Sequence, residues 1–276
     1  MSNPIMERNP YFKAGQARPN QFNQTQYQTD YSAQYAASGF APQQPAYVLQ
    51  PESVRMTYRD AMNKTAILLA TTLFAGIATV VVAPVGLWSP LAIVGSLIAC
   101  VLGMVIAFKQ QVSAGLSLGY AALEGVALGA ITGFADMYLP GIAFQTILAT
   151  TVIVGVCLAL HYSGAVRTTS KGMKYAMIVA IGGIIFALVN TIVMIFGGQN
   201  LRMVTVAGIP LGVLLGVLML FVAAYMLIAD FEMVQYAVEN QAPKQFAWTC
   251  ATAIVMTILW IYVEVLRLLM IFYSER

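Results

Sequence analysis

Residues 246–272 read FAWTCATAIVMTILWIYVEVLRLLMIF, an apolar run interrupted by Glu264 and Arg267. The run is longer than the ~20 residues a helix needs to cross a hydrocarbon core. A charge at that depth costs about 2.5 to 3.5 kcal/mol on insertion scales, so two of them call for a reason. Glu264 and Arg267 are three positions apart, which puts them on one face of a helix as potential partners. A plain reading is mutual neutralisation inside a helix bundle. The functional reading is a path for an ion or a proton.

The rest of the chain agrees with a membrane protein. Of 276 residues, 59% are hydrophobic and 9% charged, against roughly 25% charged in a soluble domain. A net charge of +3, scattered along the chain, leaves no basic stripe for nucleic acid. From Lys64 onward seven apolar windows follow one another, approximately 65–85, 87–108, 113–134, 141–161, 175–196, 208–229 and 246–272. The expected fold is therefore an all-α polytopic bundle of seven transmembrane helices. Residues 1–55, rich in Gln, Asn, Tyr, Ser and Pro, are expected to be a disordered polar tail ahead of a transmembrane domain at 56–276. Cys100, Cys157 and Cys250 each lie in an apolar run and are read as packing residues.

Positive residues set the expected orientation. With a cytoplasmic N-terminus, Arg8, Lys13, Arg18, Arg55, Arg59, Lys64, Lys109, Arg167, Lys171, Lys174 and Lys244 fall on one side, eleven of the fourteen Lys and Arg. Four-residue glycine spacing at Gly115 and Gly119, at Gly125, Gly129 and Gly133, and at Gly208, Gly212 and Gly216 predicts faces where helix backbones approach closely. Trp88, Tyr138, Tyr175, Trp248 and Tyr273 stand near span ends as interfacial anchors. His161 is read as a solvated ring at a span end, and Asn190 as an interhelical hydrogen-bonding group.

Three stretches carry a resemblance: Tyr120-Ala-Ala-Leu-Glu124-Gly-Val-Ala-Leu-Gly129-Ala-Ile131, Leu227-Ile-Ala-Asp230-Phe-Glu232, and Trp260-Ile-Tyr-Val-Glu264-Val-Leu-Arg267-Leu-Leu269. From about Tyr58 onward the chain resembles the Bax inhibitor-1 family, in the form of its bacterial YccA-like branch. The resemblance implies a seven-helix protein of a bacterial inner membrane and a pH-sensitive calcium leak. Two acids on the last two helices then share a proton and control the pore, and Asp230 and Glu264 match them, with Glu where Asp is usual. They are accordingly the candidate calcium ligands. Two like charges held close favour sharing one proton, which a divalent cation can displace, and calcium takes several oxygen ligands.

The spacing departs from that pattern. Asp230 and Glu264 are 34 positions apart. For two antiparallel helices turning near Ala242, the residue level with Asp230 is near Val255, and Glu264 lies ~14 Å beyond it. A substitute constellation is Glu124, Glu264 and Arg267, with Asp230 and Glu232 nearer the cytoplasmic mouth. No cofactor is expected, and calcium or protons enter only as the transported species. An enzyme is not expected either, because the chain has one histidine, no His-Glu-x-x-His and no Gly-x-Ser-x-Gly. Asp230 and Glu264 would be the only sensible aspartyl-type dyad. The alternative to a leak is a non-transporting regulator that binds a membrane protease or another membrane protein.

Overall fold

The computed structural model describes residues 55–274 other than 199 and 207. The expected disordered tail, except Arg55, lies outside the described residues, and so do the positive charges Arg8, Lys13 and Arg18.

Seven helices are long and apolar enough to cross a membrane. They are α1 (Tyr58–Val82), α2 (Trp88–Phe108), α3 (Ala114–Tyr138), α4 (Ile142–Ser163), α5 (Ser170–Gly197), α6 (Leu211–Glu239) and α7 (Phe246–Ser274). Local chemistry sets their ends. Thr57 and Asp60 cap α1 reciprocally: the Asp60 amide donates to Thr57 Oγ1 at 3.1 Å and the Thr57 amide to Asp60 Oδ2 at 3.2 Å. Pro84 follows the C-cap of α1, since it cannot continue a helix. Ser113 and Thr169 accept from backbone amides at the starts of α3 and α5. Gly164 and Gly198 close α4 and α5 in the left-handed conformation.

Two spans differ from their hydropathy windows. Helix α1 starts at Tyr58 because its amphipathic first turns, with Asp60 and Lys64, are still helical. Helix α6 begins at Leu211, after a two-strand turn of β1 (Thr205–Val206) and β2 (Ile209–Pro210), and runs on to Glu239. Gly208 lies in that turn at φ 82° and belongs to no helical glycine row.

One end of the bundle gathers the basic loops. The Met56 amide donates to Ala242 O at 2.8 Å, Lys64 Nζ donates to Lys244 O at 2.9 Å, and the Val112 amide donates to Thr249 Oγ1 at 3.0 Å. At the same end the Thr168 amide reaches Glu232 Oε1 at 2.9 Å, which joins the α4–α5 turn to the end of α6. The α1 start and the α2–α3, α4–α5 and α6–α7 turns therefore share the basic end. The opposite end is marked by Tyr273 Oη donating to Gln145 Oε1 at 3.0 Å, across α7 and α4.

Helix α7 is central. It packs against α6, α1, α4 and α3, and 56% of its membrane window is buried, against 6% for α5, whose main helical neighbour among the described residues is α6. The expected glycine faces are partly right. A Cβ on Gly129 would lie 2.5 Å from Gly76 O, one on Gly125 2.4 Å from Thr72 O, and one on Gly133 3.0 Å from the Trp88 ring. That row is the α1–α3 contact, continued onto Trp88. Gly212 and Gly216 meet Ile271 and Leu268 of α7 in the same way. Gly115 and Gly119 meet nothing within 4 Å, so their spacing marks no contact. Trp88 is likewise no lipid anchor: it is buried, with its ring centroid 5.6 Å from that of Phe134.

Candidate functional site

The intramembrane charges are arranged around α7, and hydrogen bonds fix their depths. Thr257 Oγ1 donates to Asp230 Oδ2 at 2.5 Å, while Gly216 packs on Leu268 and Gly212 on Ile271. This antiparallel register puts Glu264 level with the part of α6 between Leu220 and Ala223, at least seven residues and about 10 Å from Asp230. The two acids implied as a proton-sharing pair are therefore not together. The reason is the one the spacing gives: the turn at 240–243 sets a register in which Asp230 meets Thr257, seven residues before Glu264.

Glu264 has its own partner. It is 4% exposed, and Arg267 Nη1 donates to its Oε1 at 2.8 Å and its Oε2 at 2.9 Å, with Trp260 Nε1 at 3.4 Å from Oε1. This is the one salt bridge among the described residues, an i, i+3 pair on a single helix. Only one guanidinium nitrogen contacts the carboxylate, in contrast to the two parallel bonds of a bidentate arginine. The Arg267 side chain keeps 29% of its surface exposed.

Glu124 does not join them. Thr252 Oγ1 donates to Ser117 Oγ at 2.7 Å, and Thr132 and Tyr262 hydroxyls are 2.8 Å apart, which aligns α3 with α7. Glu124 lies between these rungs, level with Met256 and Thr257, so it shares its depth with Asp230 and not with Glu264. Of the substitute constellation, Glu264 and Arg267 form an ion pair and Glu124 stands apart. Glu232 sits toward the basic end, where Thr168 holds both its oxygens through the backbone amide and the hydroxyl. Among the described residues no group of three or more His, Cys, Asp or Glu side chains converges as a metal cage. The candidate calcium ligands Asp230 and Glu264 occupy two stations.

The remaining polar groups have structural partners. Asn190 Oδ1 accepts from the Leu201 amide at 2.8 Å, so it holds the loop after α5 and not a second helix. The His161 ring packs between Tyr162 and Phe231, with centroids 5.7 Å away in each case, and is more enclosed than a solvated ring. Cys157 and Cys250 are buried and form no disulfide, in line with packing, whereas Cys100 is exposed on α2 and is not a packing residue.

Sequence reasoning missed three partners. Thr257 was within reach, since it mirrors Asp230 about the α6–α7 turn. Thr168 holds Glu232 from a loop whose path no periodicity describes. Arg202, in the turn before α6, lies within electrostatic range of Arg267 and Glu264, and its guanidinium is 5.6 Å from the Phe186 ring centroid. Burial lowers the Arg202 pKa from its ordinary value, Arg267 adds to that, and Glu264 opposes it. Arg202 thus stands near the Glu264–Arg267 pair without a salt bridge of its own among the described residues.

No curated protein and no solved structure matches the chain. A family model described as Bax inhibitor 1 like matches residues 3–274. The chain, a multi-pass membrane protein by its seven apolar helices, belongs to the Bax inhibitor 1 like family.

Proposed function

We propose that the protein is a pH-sensitive calcium leak, or cation transporter, gated by its intramembrane carboxylates. The observation that carries this reading is Glu264, buried in the most enclosed helix and covered by Arg267 through a single nitrogen. A charge at that position costs several kcal/mol unless it is used, and intramembrane ionisable groups mark ion and proton paths. A divalent cation reaching Glu264 displaces Arg267, whose side chain is partly exposed and held by one nitrogen. Asp230, about 10 Å nearer the basic end, is then a second station, with Thr257 in place of the other acid. Glu124 stands level with it, and Glu232 lies at the mouth. Protonation of either carboxylate removes a cation ligand, which is the source of the pH sensitivity.

Orientation belongs to the same reading: the end that holds Lys64, Lys109, Lys171 and Lys244 faces the cytoplasm of a bacterial inner membrane, as the positive-inside bias favours, in a protein of the YccA-like branch. No enzymatic step and no cofactor form part of it. One observation favours a second reading, a regulator that binds a membrane protease or another membrane protein. The acids do not converge into a cage among the described residues, and calcium usually takes six to eight oxygens.

Flux into proteoliposomes of the purified protein, with calcium, sodium and protons assayed separately, decides between them. Calcium flux that loses its pH dependence in Glu264→Gln is the expected result. Flux of none of the three ions would leave the regulator.

A further inference from the structure

At the end opposite the basic loops, the chain between α5 and α6 folds back along α5. Gly198 turns it at φ 65°, just after α5 ends at Gly197. The Leu201 amide then donates to Asn190 Oδ1 at 2.8 Å. Asn190 stands two turns before the end of α5, so the turn at Leu201–Met203 lies about 10 Å back along that helix. The Leu211 amide donates to Val204 O at 2.8 Å, and from there the chain enters α6. Helix α5, at 28 residues, is about 42 Å long, which exceeds a ~30 Å hydrocarbon core. A turn set back from its end by about 10 Å therefore stands at the outer surface of that core.

Arg202 reaches inward from this turn. Its Cβ and its carbonyl oxygen each lie 3.1 Å from the point a Cβ on Gly212 would occupy, and Ile271 Cδ1 lies 2.8 Å from the same point. The turn therefore stands at the outer end of the α6–α7 seam that holds Glu264. The guanidinium sits deeper, 5.6 Å from the Phe186 ring centroid. Gly183, on the same helix as Phe186, packs on Met219, which puts Phe186 within about one turn of the level of Gly216. Leu268, the neighbour of Arg267, packs on Gly216. From there Arg202 is in electrostatic range of Arg267 and Glu264. It has no salt bridge among the described residues. It keeps its charge, since a guanidinium does not deprotonate in proteins, and the Phe186 face supports it.

A fixed cation at that mouth acts on other cations by charge, as an arginine does in pores that exclude them. Coulomb repulsion doubles from a monovalent to a divalent ion, and a rate falls exponentially with its barrier. A charge that slows sodium about fivefold therefore slows calcium about twenty-five-fold. We propose that Arg202 is a specificity-determining residue, a positive barrier at the outer mouth that holds divalent cations back from Glu264 more than monovalent ones. This role rests on Glu264 being a cation station. The protein then combines an acid that attracts calcium with an arginine that limits its passage, which keeps the flux small.

The test is initial tracer flux of calcium and of sodium, each below saturation, in proteoliposomes of the full chain. Wild type, Arg202→Gln and Arg202→Lys are compared. Both substitutions retain the Cβ and carbonyl that meet Gly212 and leave the Leu201–Asn190 bond in place. Arg202→Gln is expected to raise sodium flux about fivefold and calcium flux about twenty-five-fold, so that the calcium-to-sodium ratio rises about fivefold. Arg202→Lys keeps the charge and should keep the wild-type ratio. An equal rise for both ions in Arg202→Gln would mean a loosened mouth and would overturn the charge role, as would a ratio in Arg202→Lys that matches Arg202→Gln. Wild-type flux that Arg202→Gln leaves unchanged would overturn this role alone and leave the Glu264 station standing. Flux of neither ion in any of the three proteins would overturn both.

Discussion

Arg267 holds Glu264 by one nitrogen, and the cost of removing either residue is not symmetric. Arg267→Leu leaves a buried carboxylate without its cation, and an orphaned buried charge costs about 3 to 5 kcal/mol. Glu264→Gln leaves a guanidinium that is less enclosed, with 29% of its side-chain surface exposed. The expected pattern in detergent melts is a clear drop for Arg267→Leu, a smaller one for Glu264→Gln, and recovery of most of the loss in the double variant. Strictly additive losses would show that the two side chains do not depend on each other. Transport should separate the stations. In the flux assay Glu264→Gln abolishes the pH dependence, Glu124→Gln lowers the flux, and Asp230→Asn changes mainly its dependence on calcium at the basic end. Unchanged calcium flux at every pH in a Glu264→Gln, Asp230→Asn double variant would sink the carboxylate mechanism. Glu264 with Arg267 was readable from the sequence because helical periodicity places i and i+3 together. The Asp230–Thr257 contact was readable only to within two residues, because the turn between α6 and α7 adds a length that no pattern specifies.

At the scale of helices, the small residues decide which pairs touch. Gly129 and Gly76 bring α3 and α1 together so closely that a Cβ on Gly129 would sit 2.5 Å from a carbonyl oxygen, whereas Gly115 faces open space. Gly129→Ala is expected to lower the thermal midpoint by the equivalent of about 2 kcal/mol, the usual size of an overpacking loss. Gly115→Ala should be neutral or raise it by about 0.5 to 1 kcal/mol, the helix-propensity gain. Equal midpoints for the two would show that the α1–α3 contact is looser than described. The period-four pattern is the same at both sites, so the sequence identified rows of small residues without telling which row meets a neighbour. The spans themselves were legible because an apolar window near the thickness of the bilayer has few alternatives. Their ends were not, since a hydropathy window stops at Asp230 while the α6 hydrogen bonds continue to Glu239.

For the whole molecule, the basic loops meet at one end through side-chain and backbone bonds, so their sidedness stands or falls together. With Cys100, the exposed native cysteine, replaced, Ser170→Cys should resist a membrane-impermeant maleimide in intact cells and Met203→Cys should react. The reverse pattern would invert the bundle without altering its fold. Among the described residues, the packing order also differs from the chain order. Helix α7 touches α6, α1, α4 and α3, yet it is synthesised after all of them. Until it leaves the ribosome, the faces of α1, α3, α4 and α6 that it will cover have only lipid or each other to lie against. Biogenesis therefore has a waiting period, in which the earlier helices are inserted but have no centre to close on. A nascent chain stalled after Gln245 should be integrated and yet open to intramembrane proteolysis, and release of the remaining residues should end that susceptibility in one step.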